Sequence, residues 1–157
     1  MADIYTPEWY AEVRDAMNAR IATMKDLPIG ELQIKVEIVG DGVSPYVAGD
    51  SERHFLVKIE DGRCAWYREV EGDDPEVTLN YRFRGAGTTF DEIAAGQQDP
   101  INAALKGEIK VRGDMRFLMR QAEQVKVLLE AYTTGVETSW PRGRPPYASS
   151  GQEPVSA

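Results

Sequence analysis

The sequence has almost none of the residues that form disulfides or zinc sites. Among its 157 residues there is one cysteine, Cys64, and one histidine, His54. A single cysteine cannot form an internal disulfide, and one cysteine with one histidine cannot supply the four ligands of a structural zinc site. The two counts exclude a disulfide-stabilised domain and a Cys/His zinc module, and we expect neither a bound metal nor a cofactor.

Basic residues and long apolar runs are also scarce. The chain has 18 Lys and Arg against 26 Asp and Glu, which gives a formal charge of −8. Nucleic-acid binders and polybasic membrane-surface proteins owe their affinity to Lys and Arg, so both classes are disfavoured. No segment approaches the ~18 consecutive apolar residues of a membrane span. We expect a cytoplasmic protein with no nucleic-acid partner and at most transient membrane contact.

The residues that are present are typical of one globular domain with a tail. A hydrophobic fraction of 42% and a charged fraction of 28% match an ordinary soluble fold. From about residue 135 the sequence becomes rich in Pro, Gly and Ser and poor in apolar residues. Such a composition cannot offset the entropy of ordering. We therefore predict a domain over residues 1–134 and a flexible tail over 135–157.

Helix signals begin near the N-terminus and return in the second half. Thr6 is a candidate N-cap, Pro7 fits the first helical position, and apolar residues recur at spacings of three or four to about residue 25. Two short helices are predicted over about 89–95 and after Asp99. One long final helix is predicted to begin after Asp114.

Alternation of apolar and polar residues predicts five strands. The first covers 32–38, a hairpin covers 54–70, and two more strands follow at 77–83 and 108–112. Asp61–Gly62 in the middle of the hairpin favours a two-residue turn.

A two-residue turn fixes which hairpin residues face the core. It pairs Val57 with Trp66 and places both, together with Cys64, on one apolar face. Tyr67 then falls on the wetter face, and His54 faces away from Cys64. Side chains on opposite faces of a strand cannot contact each other, so a Cys–His dyad is disfavoured. We expect no catalytic residues.

These elements predict an α+β fold with two layers. Each strand has one apolar face, so a five-stranded, mainly antiparallel sheet needs helices on one side only. We expect parallel or crossover pairing at the fifth strand, because helices precede it. The two short helices are marginal on their own. The layers therefore either form an ordinary close-packed core or open to admit an apolar ligand.

Several segments resemble the sterol carrier protein 2 family in order and spacing. They are FLVKIEDG at 55–62, DPEVTL at 74–79 and KGEIKVRGDM at 106–115. The resemblance implies a hydrophobic tunnel between sheet and helices. It further implies non-covalent binding of a sterol, fatty acid, fatty acyl-CoA or isoprenoid lipid, without catalysis. An alternative is an accessory protein that docks to an enzyme acting on an apolar substrate.

The tunnel, if present, needs apolar side chains from both layers. The residues that we predict to line it are Trp66, Phe90, Ile93, Ile101, Leu105, Met115, Leu118 and Met119.

Overall fold

A computed structural model describes residues 2–23, 31–60, 63–72 and 78–147. The strands are β1 (Ala2–Asp3), β2 (Glu31–Val39), β3 (Glu52–Glu60), β4 (Arg63–Val70), β5 (Tyr81–Ala86), β6 (Ile109–Gly113) and β7 (Thr138–Ser139). The helices are α1 (Pro7–Ile21), α2 (Gly87–Ala94), α3 (Pro100–Leu105), α4 (Met115–Arg120) and α5 (Ala122–Thr133). The Asp61–Gly62 turn, Val77, the predicted end of the first helix and residues 148–157 lie outside the described residues.

Two helices begin at the polar residues that the sequence indicates. The Thr6 hydroxyl accepts a hydrogen bond from the Trp9 backbone N–H at the start of α1, at 3.3 Å. Asp99 accepts from the Ile101 N–H at 2.8 Å and begins α3. These bonds satisfy backbone donors that the first turn of a helix leaves unpaired, and they confirm the predicted starts.

The predicted α+β fold with a five-stranded sheet is confirmed. The strand order is β4–β3–β2–β5–β6, and the parallel pair within this sheet joins β2 to β5. The predicted parallel or crossover pairing at the fifth strand is wrong. The chain crosses from the β4 edge to the far side of β2, so β5 is the parallel strand, and β6 then pairs with β5 in the antiparallel sense.

A one-residue bulge changes the register of the β3–β4 hairpin. Ile59 pairs with Cys64 as predicted, but the next pair is Lys58 with Trp66, which leaves Ala65 as an extra residue. Val57 therefore pairs with Tyr67 rather than with Trp66. Because a shift of one residue exchanges the two faces of a strand, Tyr67 joins the core and Trp66 leaves it.

The predicted long final helix is two helices. Gln121, with φ −103° and ψ 20°, departs from helical geometry and separates α4 from α5. Apolar residues continue at helical spacing across this point, so the pattern alone does not reveal the break.

Part of the segment predicted as a tail lies against the domain. β7 pairs in parallel with β1, and the Trp140 ring lies edge-on to Tyr46 with ring centroids 6.0 Å apart. Arg142 donates from its guanidinium to the Pro45 carbonyl at 3.1 Å, and Pro145 is buried. The domain boundary after residue 134 remains a prediction.

The tightest packing lies between α1 and the hairpin. Trp9 and Val13 of α1 are almost fully buried, and Phe55 has no exposed surface. Phe55 stacks on Tyr5 and Tyr67, with ring centroids 5.8 and 6.3 Å apart. We call the cluster of Tyr5, Trp9, Phe55 and Tyr67 the aromatic core.

Candidate functional site

Away from the aromatic core, the inner face of the sheet is less completely covered. On this face Val36, Ile38 and Ile109 are buried, whereas four other apolar side chains of β2, β5 and β6 are only half-buried. Helices α2 and α4 contribute half-buried apolar side chains as well. The set, which we call the half-buried apolar region, is Leu32, Ile34, Phe83, Val111, Phe90, Phe117 and Leu118.

Two of the predicted tunnel residues, Phe90 of this region and Ile93, lie together. Ile93 is buried and forms a small cluster with Ala103 and Ile109, against which Phe90 packs. Leu118 and Ile101 are each half-buried on their own helices. These four predicted residues therefore remain candidates for ligand contact.

Trp66 lies on the outer face of the sheet, away from the helices. It pairs directly with Lys58, which lies between two residues of the core face, Val57 and Ile59. The Arg68 guanidinium lies over the Trp66 ring at 4.4 Å from its centroid. The predicted placement of Trp66 between sheet and helices is wrong, because the bulge at Ala65 reverses its direction.

Three other predicted residues point outward. Leu105 is 71% exposed, Met119 is 63% exposed and Met115 is 46% exposed. On α4 it is Phe117 that packs against the main core, and Leu118 is half-buried, so the methionines lie on the other side of this short helix.

A buried carboxylate, which the sequence analysis missed, joins three distant parts of the chain. Asp91 has no exposed surface. It accepts hydrogen bonds from the hydroxyls of Tyr5 at 2.6 Å, Ser44 at 2.6 Å and Tyr147 at 2.8 Å. Burial raises the pKa of Asp91 despite these three donors. A lone aspartate in a short amphipathic helix carries no sequence signal for such a role.

A second buried polar group lies on the outer face of the sheet. Glu37 accepts hydrogen bonds from Arg82 and, at 3.1 Å, from Arg84. Lys35 is 2% exposed, lies 3.7 Å from Glu37 and donates to the Gly72 carbonyl at 3.0 Å. The predicted alternation puts Lys35 and Glu37 on this face correctly, but as exposed residues. The paired charges indicate a structural ion cluster.

An open cleft of about 310 Å³ lies between the α2–α3 connection and α5. Most of the residues that line it have polar or charged side chains, among them Gln97, Asp99, Lys126 and Glu130, and Leu129 and Pro100 are apolar. A lipid chain there would take the hydration of the charged groups away, so the half-buried apolar region is the better candidate.

The geometry around Cys64 and His54 does not suit nucleophilic catalysis. Cys64 is fully buried in the core, and its thiol donates to the Trp66 carbonyl at 3.6 Å. His54 lies on the opposite face, where its Nε2 is 2.9 Å from a Glu52 carboxylate oxygen. Among the residues that the structure describes, no cluster of His, Cys, Asp and Glu could hold a metal ion.

We predict that Cys64 is nearly inert in the folded protein. Burial raises the pKa of its thiol from 9.0 to about 11. Since the thiolate is the nucleophile, alkylation by iodoacetamide should be at least about 100-fold slower in the native protein than in denaturant. Mass spectrometry of timed aliquots measures both rates, and similar rates would contradict the burial of Cys64.

None of the described helices is long and apolar enough to cross a membrane.

Comparison with known proteins gives one family and its fold. The sequence model of the SCP-2 sterol transfer family matches residues 33–126. The fold is similar to the crystal structure of a sterol carrier protein 2, with TM-score 0.65 and 15% identity over 84% of this chain and 98% of that one. It is equally similar to a conserved hypothetical protein of Thermus thermophilus, with TM-score 0.65 and 15% identity over 88% and 92% of the two chains. No curated protein matches the chain in sequence.

Proposed function

The chain belongs to the SCP-2 sterol transfer family, and from this premise we propose that it binds an apolar lipid between sheet and helices. The ligand classes that fit are a sterol, a fatty acid, a fatty acyl-CoA or an isoprenoid lipid. The protein then acts by sheltering the ligand from water and needs no catalytic group.

The observation that supports this proposal is the half-buried apolar region. Protein interiors are close-packed, so apolar side chains between two layers are usually buried. Here Ile34, Phe83 and Val111 face the helices and yet keep exposed surface. Apolar side chains that face the other layer and keep exposed surface offer a surface that a lipid chain can cover.

Burial of the ligand supplies the affinity. Each methylene that leaves water contributes about 0.8 kcal/mol, so a chain of about ten to fifteen carbons gains roughly 8–12 kcal/mol before ordering costs. Association and ordering remove at least about 4 kcal/mol of this gain, so only the longer chains reach micromolar binding.

A Leu118→Asp substitution should abolish lipid uptake. Leu118 is half-buried on α4. A carboxylate there would have to lose its hydration when a lipid chain arrives, at a cost of several kcal/mol. We expect uptake of a fluorescent fatty acid to fall by about 100-fold or more. Titration of purified, delipidated protein measures it.

The matched control is Leu118→Met, which keeps the volume and polarity of the side chain and should retain uptake. Circular dichroism verifies that both variants fold. Full uptake by a folded Leu118→Asp variant would refute this location of the ligand. Native mass spectrometry of the wild type, followed by solvent extraction, identifies the class of lipid that co-purifies.

A further inference from the structure

Gln121, at the break between α4 and α5, lies on the inward side of α4. Its backbone N–H donates to the Phe117 carbonyl at 3.0 Å, so Gln121 continues the last helical turn. On a helix, a residue three places after Leu118 and four places after Phe117 falls between those two side chains. Phe117 packs against the main core and Leu118 is half-buried. Gln121 therefore belongs to the face of α4 that is turned towards the half-buried apolar region.

The side-chain amide oxygen of Gln121 is buried and has no hydrogen-bond partner among the described residues. Gln121 directly precedes the first residue of α5, yet its side chain does not cap that helix. The other buried side-chain atoms without a partner in the described part of the chain belong to α1, β3 and the first turn of α2. A buried oxygen that has lost its water and gained no donor is costly, and such atoms are rare. Gln121 thus places an unused acceptor beside an apolar surface.

We propose that Gln121 accepts a hydrogen bond from the hydroxyl group of a lipid alcohol in the half-buried apolar region, an inference that rests on the proposed function. The hydroxyl supplies the donor that the amide oxygen lacks. The apolar body of the same molecule covers Phe117 and Leu118. Gln121 is then a specificity-determining residue, because its oxygen stabilises only those ligands that carry a donor.

The chemistry of the region favours an alcohol over an ionised fatty acid. A carboxylate has acceptors only, so its oxygens would repel the amide oxygen of Gln121. A buried charge also needs a partner of opposite charge, whereas the side chains of the half-buried apolar region are all aliphatic or aromatic. An ionised fatty acid can leave its carboxylate in water and bury its chain alone, so it binds without help from Gln121.

A Gln121→Leu substitution should not destabilise the ligand-free protein. It replaces a buried oxygen without a partner by an apolar group of similar size, which removes an uncompensated cost of folding. The midpoint of thermal unfolding of delipidated protein should therefore stay the same or rise. A clear fall would show that the amide already has a structural partner and would overturn the proposal.

Competition between two isomeric ligands tests the proposal with the full chain. Tetradecanol and methyl tridecyl ether contain the same atoms, but the ether has no O–H donor. Each is titrated against a fluorescent fatty acid bound to purified, delipidated protein. Gln121→Leu should weaken displacement by the alcohol about tenfold, because the hydroxyl loses its acceptor, and should leave displacement by the ether unchanged.

The matched control is Gln98→Leu. The Gln98 amide donates to Glu92 at 3.0 Å and lines the polar cleft, so its loss should leave both displacements at the wild-type level. The proposal requires a loss that is specific to the alcohol and to Gln121→Leu. If the wild type binds the fluorescent fatty acid but Gln121→Leu changes both displacements equally or neither, the proposal is overturned and the proposed function stands. A wild type that binds neither the fluorescent fatty acid nor the alcohol overturns both.

Discussion

A Phe55→Ala variant should lose about 4 kcal/mol of folding free energy. Phe55 has no exposed surface and lies among three tyrosine rings, the nearest being Tyr10 at 5.1 Å between centroids. Truncation removes the ring contacts and leaves a cavity that a rigid neighbourhood cannot close, at a cost of about 3–5 kcal/mol. For a chain of this length, the midpoint of thermal unfolding should fall by about 10 °C or more.

Denaturant titration of Phe55→Ala measures the loss, and Leu105→Ala is the control. Leu105 is 71% exposed, so its truncation should change the free energy of unfolding by less than about 0.5 kcal/mol. Equal effects of the two substitutions would show that the aromatic core does not carry the stability assigned to it.

An Asp91→Ala variant should lose about 3 kcal/mol. The substitution leaves the buried hydroxyls of Tyr5 and Ser44 without an acceptor, and each unpaired group costs about 1–3 kcal/mol. Tyr147 also loses its partner, so cleavage by trypsin between Arg142 and Gly143 should become faster. Unchanged stability together with unchanged cleavage would contradict the role of Asp91 as the junction that holds the hydroxyls of Tyr5, Ser44 and Tyr147.

The difference in folding stability between the wild type and an Asp91→Asn variant should change with pH in one direction. Burial raises the pKa of Asp91 above the usual 3.8, so the folded state holds this proton more tightly than the unfolded state. The contribution of Asp91 to stability is therefore complete below about pH 3.8 and is lost as the pH rises through the higher folded value. The amide of the variant has no such proton to lose. The wild type should lose stability relative to Asp91→Asn as the pH rises through that window, and a constant difference would contradict the shift.

The sequence predicts the fold well because the fold depends on periodicity and caps. The alternation of β2 and the caps at Thr6 and Asp99 are local properties, and each of them can be read within a few residues. The position of the parallel pair is not local. It depends on which side of β2 receives β5, and nothing in either strand encodes that choice.

The predicted orientation of some site residues is wrong where a single irregularity interrupts a periodic pattern. Ala65, as an extra residue in the hairpin, sends Trp66 to the outer face. Gln121 ends α4, and Met115 and Met119 lie on the outer side of that short helix. Periodic patterns predict which residues share a face, but they do not predict a bulge or a helix break.

Averages over the whole chain also conceal local differences. A charge of −8 disfavours anionic partners, yet residues 105–120 carry a net positive charge. A Pro- and Gly-rich composition predicts a loose tail, yet Trp140 and Tyr147 give this segment specific partners in the domain. In both cases the informative residues are too few to change the average.

The junction at Asp91 also bears on the order in which contacts become possible during synthesis. Its partner Tyr147 follows Asp91 by 56 residues, and β7 pairs with Ala2 and Asp3 of β1. The last strand of the five-stranded sheet ends at Gly113, so every strand of that sheet is synthesised before either partner. β1 therefore finds its partner only after residue 139 has left the ribosome, and Asp91 gains its third donor only after residue 147 has done so. A nascent chain can assemble the sheet before it can close this junction.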